Sequence, residues 1–186
     1  MPPVINYDRN VESIPEPKIA WGAKVSKVFK ERVLWIANDL GCPANSLMAC
    51  MAWESGETFR PDIKNAAGSG ATGLIQFMPK TALKMGTTVQ ALAAMTAEDQ
   101  LNYVYKYFKP YKGRLRNLGD VYMAILWPAG VGQPDHYVLF DRDKTPTTFR
   151  QNAGLNVNHD DLVTRAECLV KINSKLAKGL QSGYLG

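Results

Sequence analysis

The stretch AWESGETFRPDIKNAAGSGATGLIQFMPKTA, from Ala52 to Ala82, is the part of this chain that settles its reading. It opens at the end of an apolar helix with Pro43 in its first turn and a body of Leu47, Met48, Met51, Ala52 and Trp53. It closes where Pro79 starts a short helix that runs through Lys84 and is stopped by Gly86. Between them, residues 57–72 carry Pro61, Gly68 and Gly70 and keep no helical or strand period. A long loop inside a compact domain is usually functional. Glu54 stands at the helix end, directly after Trp53. A carboxyl held against apolar and aromatic surface is poorly solvated in its charged form. Its pKa is expected to rise, and it can then serve as a general acid. A solvated helix-terminal Glu is the other reading of that residue taken alone. The run Gly73-Leu74-Ile75-Gln76-Phe77-Met78-Pro79 adds to the picture. Gly73 permits a tight backbone approach, and Leu74 and Phe77 anchor the turn. Gln76 is then a fixed polar side chain that can donate to and accept from a sugar hydroxyl or amide. It can equally be a satisfied Gln capping the next helix.

Outward from this stretch the chain reads as mostly α. Trp21, Val25, Val28, Phe29, Leu34 and Trp35 recur at three-to-four-residue spacing and predict a helix over 20–41, capped by Gly41. Thr96 opens another helix with acidic residues in its first turn and an aromatic ladder of Tyr103, Tyr105, Tyr107 and Phe108. Val121, Tyr122, Ala124, Ile125 and Leu126 form a further helix that Pro128 ends. A looser stretch runs to about residue 155, and residues 162–177 read as a last helix with Lys171, Lys175 and Lys178 on its polar side. Tyr137-Val138-Leu139-Phe140 is the nearest strand candidate, short and flanked by charge, so no strand is expected. Residues 1–19, with Pro2, Pro3, Pro15 and Pro17, read as an extended arm. The expected organisation is an arm over 1–19, a catalytic domain over 20–145, and a C-terminal helical extension over 146–186.

Composition excludes several classes. The 186 residues are 46% hydrophobic and 21% charged, which rules out wholesale disorder and a membrane bundle. A net charge of +5 favours polyanionic partners without choosing among them. Basic residues are dispersed, so nucleic acid is not an expected partner. Cys42, Cys50 and Cys168 are odd in number and lack a CxxC pair, which argues against a disulfide scaffold or a zinc site. Ser55 has no motif-linked His and Asp, and no phosphate-binding glycine loop is present. No secretory signal and no span long enough for a bilayer are visible, so synthesis in the cytoplasm is expected, as a monomer.

Taken together, Glu54-Ser55 with Phe59 and Pro61, then Gly73 to Pro79 followed by Thr81-Ala82, resemble the catalytic domain of the soluble lytic transglycosylases. That family shares its core with goose-type lysozyme. The clear matches cover about residues 43–82, and a looser likeness reaches about 140. The resemblance implies a mostly α, lysozyme-like fold with two lobes and a catalytic cleft. It implies a peptidoglycan substrate, with Glu54 as acid and then base. Gln76, Met78, Asn65 and Trp127 are implied cleft residues, with Ser55 and Gly73 beside them in the motifs. The family closes a helix with Ala-Tyr-Asn-Ala-Gly, where this chain has Leu126-Trp127-Pro128-Ala129-Gly130. Trp127 has only an indole N–H to offer. It reads as a sugar platform or as a buried core residue. This variant is similar to that of phage-encoded members, which implies an endolysin or virion-associated lysin made in the host cytoplasm and acting in the periplasm or cell wall. The lysines of the last helix are candidates for holding an anionic envelope, or form an ordinary solvated face. A lysozyme-type hydrolase on the same fold is the alternative, with Glu57, Asp62 and Asp141 as candidate water-activating bases. A non-catalytic wall-binding or tail structural protein is the other.

A second constellation lies near the C-terminus. Asn156, Asn158, Asp160, Leu162, Thr164 and Glu167 fall at positions 1, 3, 5, 7, 9 and 12 of an EF-hand loop, with apolar Val163 at position 8. Position 1 lacks a charge, and position 6 is Asp161 where a glycine normally makes the sharp turn. Weak calcium binding or none is expected, and no other cofactor.

Overall fold

The computed structural model describes residues 17–66 and 68–186. Most of the arm expected over 1–19 lies outside the described residues. At the centre stands α2 (Ala44–Glu54), buried at every position from Ser46 to Ala52. A helix that is apolar nearly all round must be covered on all sides. The cover comes from α1 (Lys27–Leu40), α6 (Leu118–Leu126) and α8 (Arg165–Gly179). The remaining helices are α3 (Pro79–Lys84), α4 (Val89–Ala93), α5 (Ala97–Phe108), which packs on α1, and α7 (Pro146–Gln151).

Local chemistry sets these elements. Ser26, Thr88, Thr96 and Asn117 each cap a helix by accepting from the backbone N–H three residues on. Gly41 ends α1 at φ 69°, in the left-handed region that glycine enters without strain. The helix predicted over 20–41 begins later than its hydrophobic spacing suggests. Trp21 takes φ 64° and leads into a 3-10 turn over Gly22–Lys24, and Val25 is extended. Trp21 is fully buried, and its indole donates to the Lys175 carbonyl of α8 at 3.0 Å. Its apolar character therefore reflects tertiary docking, not a helix face.

Two strands are present where none was expected. β1 (Val138–Asp141) pairs antiparallel with β2 (Leu162–Thr164), with Phe140 opposite Val163. The last helix therefore starts at Arg165 and not at 162. Its start is fixed by a capping box: Thr164 accepts from the Glu167 N–H, and the Glu167 carboxylate accepts from the Thr164 N–H. Val163, Cys168 and Ile172 belong to the same buried cluster as α2, so residues 146–186 share one core with the rest.

Candidate active site

Glu54 is the last residue of α2, and the wall of apolar residues behind it sets its chemistry. It is half-buried, and desolvation raises its pKa from 4.5 to about 7. Tyr107 and Tyr122 lie close enough to feel its charge, as does Cys50 one turn earlier. Burial pushes the Tyr107 hydroxyl up to about 12 and Tyr122 higher still, so both stay neutral hydrogen-bonding groups. The Tyr107 hydroxyl donates to the Ala124 carbonyl at 2.8 Å, which fixes the ring against α6.

The two residues expected beside Glu54 as motif partners act on backbone geometry. Ser55 is buried; its hydroxyl donates to the Met51 carbonyl at 2.6 Å and accepts from the Phe59 N–H at 3.0 Å. It clamps the end of α2 to the following loop and is sealed from any ligand. Gly73 is buried at φ 87°, and a Cβ there would overlap the Gln100 side chain. Its role is to let Gln100 approach.

Gln100, on α5, was not singled out from the sequence. It is fully buried, and each polar atom of its amide is used. Its Oε1 accepts from the Leu74 N–H at 2.7 Å, and its Nε2 donates to the Pro61 carbonyl at 3.0 Å and the Leu92 carbonyl at 2.8 Å. One side chain thus joins the loop after Glu54, the turn after Gly73 and the end of α4. A signal existed: Gln100, Val104 and Phe108 share one helical stripe, and a lone amide in an apolar stripe implies buried backbone partners.

Gln76 is half-buried in a left-handed turn at φ 52°. Its Nε2 donates to the Ile63 carbonyl at 3.3 Å and the Gly73 carbonyl at 3.2 Å. It holds the long loop and does not cap α3. The N-cap of α3 is Met78, which is 47% exposed. Asn65 is exposed, and its backbone N–H bonds the Ala71 carbonyl at 2.9 Å across the loop. Trp127 caps α6 and is half-buried, its ring edge-on to Phe140 at 5.2 Å. That contact ties it to β1.

The three carboxylates considered as water-activating bases are each held in an ion pair. Glu57 accepts from Lys175, and from Lys178 at 2.6 Å, and these bonds lower its pKa. Asp62 forms a two-pronged pair with Arg60 at 2.9 and 2.7 Å, which lowers it too. Asp141 is lowered first by the Lys144 backbone N–H, in the turn before α7. The same pairs bear on the lysines considered for envelope contact. Lys175 and Lys178 are engaged by Glu57, and Lys171 donates to the Gly154 carbonyl at 3.2 Å.

Two surface cavities lie apart from Glu54. One, of about 460 Å³, is lined by Trp35, Tyr105 and their neighbours on α1 and α5; another, of about 400 Å³, lies between the long loop and α4. Among the described residues no group of three or more His, Cys, Asp or Glu is placed to hold a metal, and no helix is long and apolar enough to cross a membrane.

No curated protein matches the chain. Residues 35–125 match the family described as "Transglycosylase SLT domain". The matched span opens inside α1, contains α2 with Glu54, the long loop and Gln100, and stops just before the variant motif at Trp127. The chain therefore carries a lysozyme-like transglycosylase domain of the peptidoglycan-cleaving kind.

Proposed function

We propose that this protein is a lytic transglycosylase that cleaves the β-1,4 bond between N-acetylmuramic acid and N-acetylglucosamine. Glu54, protonated near neutral pH, gives its proton to the glycosidic oxygen as the bond to C1 breaks. The resulting carboxylate then takes the proton of the muramoyl C6 hydroxyl, whose oxygen bonds to C1. The products are a 1,6-anhydromuramoyl end and a free N-acetylglucosamine hydroxyl, with no water consumed. Substrate-assisted chemistry of this kind needs no second carboxylate nucleophile. The observation that carries the reading is the pairing of one desolvated carboxyl, raised to about 7, with candidate bases that are all engaged in ion pairs. Gln76, Met78, Asn65 and Trp127 serve as substrate contacts in this reading, and the protein acts on the wall as a phage endolysin or virion-associated lysin.

The test is mass spectrometry of muropeptides released from purified peptidoglycan, with Glu54→Gln as control. Anhydromuramoyl ends made by the wild type alone are the expected result. Reducing muramoyl ends, one water heavier, would replace this reading with hydrolysis. Equal release by both proteins would remove Glu54 from the chemistry.

A further inference from the structure

The loop over 156–167 lies outside the catalytic chemistry, and its backbone has the shape of a cation-binding loop. In an EF-hand the sixth position needs a left-handed residue for the sharp turn. Asp161, at that position, takes φ 66°, and His159 two residues earlier takes φ 59°. Asp tolerates this region better than most residues, so the missing glycine does not abolish the turn. The three residues that follow form β2, with Val163 at position 8 fully buried and paired to Phe140. Thr164, at position 9, caps the exiting helix α8, and Glu167, at position 12, lies in its first turn.

The second observation is a buried donor atom with no partner. Asn156, at position 1, is 8% exposed, and among the described residues its Oδ1 has no hydrogen-bond partner. A buried carbonyl oxygen left unpaired is costly, and such exceptions commonly mark an ion or water site. The next residue, Val157, donates its N–H to Glu167 Oε1 at 3.1 Å, which brings positions 1 and 12 together. Asp161 turns outward to an exposed ion pair with Arg142 at 3.0 Å, and the side chains of Asn158 and Asp160 bond within the loop. Asp160 Oδ2 accepts from Asn158 Nδ2 at 3.0 Å, Asp160 Oδ1 from the Leu162 N–H at 3.0 Å, and Asn158 Oδ1 from the Asp160 N–H at 3.1 Å.

We propose that residues 156–167 bind one calcium ion. The ligands are the side-chain oxygens of Asn156, Asn158, Asp160 and Glu167 and the carbonyl of Leu162, with Thr164 acting through a water. This all-oxygen set suits a hard cation with six to eight ligands. Only Asp160 and Glu167 bring charge, and Glu167 must give up its bonds to the Thr164 N–H and hydroxyl, at 2.9 and 2.8 Å, to engage the ion. Both features weaken binding and place the dissociation constant at about 10⁻⁴–10⁻³ M, the range of low-affinity sites. Because α8 packs on α2, the bound ion would fasten the helix that backs Glu54.

The experiment is thermal unfolding of chelator-treated full-length protein in CaCl2 or MgCl2 at 10 mM, with calorimetric titration of CaCl2. Calcium is expected to raise the midpoint by about 3–6 °C, and magnesium to fall short of that. Asn156→Asp, which adds a charge at the unpaired position, is expected to tighten calcium binding by about tenfold or more. Glu167→Gln keeps the capping box but loses the charged ligand, and should abolish the rise. Asp160→Asn should do the same without touching the helix cap. No calcium-specific rise in the wild type overturns the proposal. So does a rise that Asn156→Asp leaves unchanged, or one that survives Asp160→Asn and Glu167→Gln.

Discussion

Glu54 is a carboxyl that the fold keeps from water, and two consequences follow from its pKa of about 7. Acid catalysis needs the proton, so the rate is expected to fall as pH rises through about 7, which a pH profile of wall lysis checks. Glu54→Gln should lose about 10²- to 10⁴-fold in rate below about pH 7, with the gap to the wild type narrowing above it. The stability effect has a definite sign. The unfolded chain releases this proton near 4.5 and the folded chain near 7, so stability falls as pH rises between them. Glu54→Gln escapes that loss. By urea unfolding it should match the wild type at pH 4 and exceed it by about 2–3 kcal/mol at pH 8. Gln100 is the second residue whose environment decides its effect. Gln100→Leu leaves the Leu74 N–H and the Pro61 and Leu92 carbonyls without their partner. A loss of about 2–4 kcal/mol is expected, with a lower activity per folded molecule because the turn bearing Gln76 loosens.

Among the elements, the helices stand on local signals. Ser26 accepts from the Phe29 N–H at 3.1 Å at the start of α1, and Ser26→Ala should cost about 1 kcal/mol in thermal or urea unfolding, without changing the pH profile of lysis. The capping box of α8 and the glycine stop of α1 are of the same kind. Strands behave otherwise. β1 and β2 are four and three residues long and stand only because they pair with each other. Neither is stable alone, which is why Tyr137 to Phe140 gave no usable strand pattern. Residues 162–164 were read as helix for the same reason: their apolar spacing suits either state until a partner strand is present.

For the whole molecule, α8 closes the core against α2, and a buried charge network fixes its position. Arg165 is 6% exposed; it pairs with Asp120 at 3.2 Å and with Asp135 at 2.6 Å. Asp120, 1% exposed, also accepts from the Arg116 and Gly132 N–H groups. Arg165→Gln takes away the buried one of the two guanidinium groups on Asp120, leaving Arg116 at 3.6 Å, and a loss of about 3 kcal/mol, the low end for a broken buried pair, is expected in urea unfolding. Reading the chain alone was enough for the mostly helical class, the placement of α2, α3, α5 and α6, and the suspicion that falls on Glu54 and Gln76. Those follow from periodicity, caps and glycines, which act over a few residues. Other features depend on groups far apart in the chain. Trp21 leaves its helical pattern to reach Lys175, Ser55 and Gly73 prove to be backbone fittings, and Gln100 meets partners as distant as Pro61. Glu54 itself shows the division. Its position at a helix end was legible from Trp53 and Gly56, whereas its protonation depends on how much water α2 and its neighbours exclude, and only the packed structure decides that.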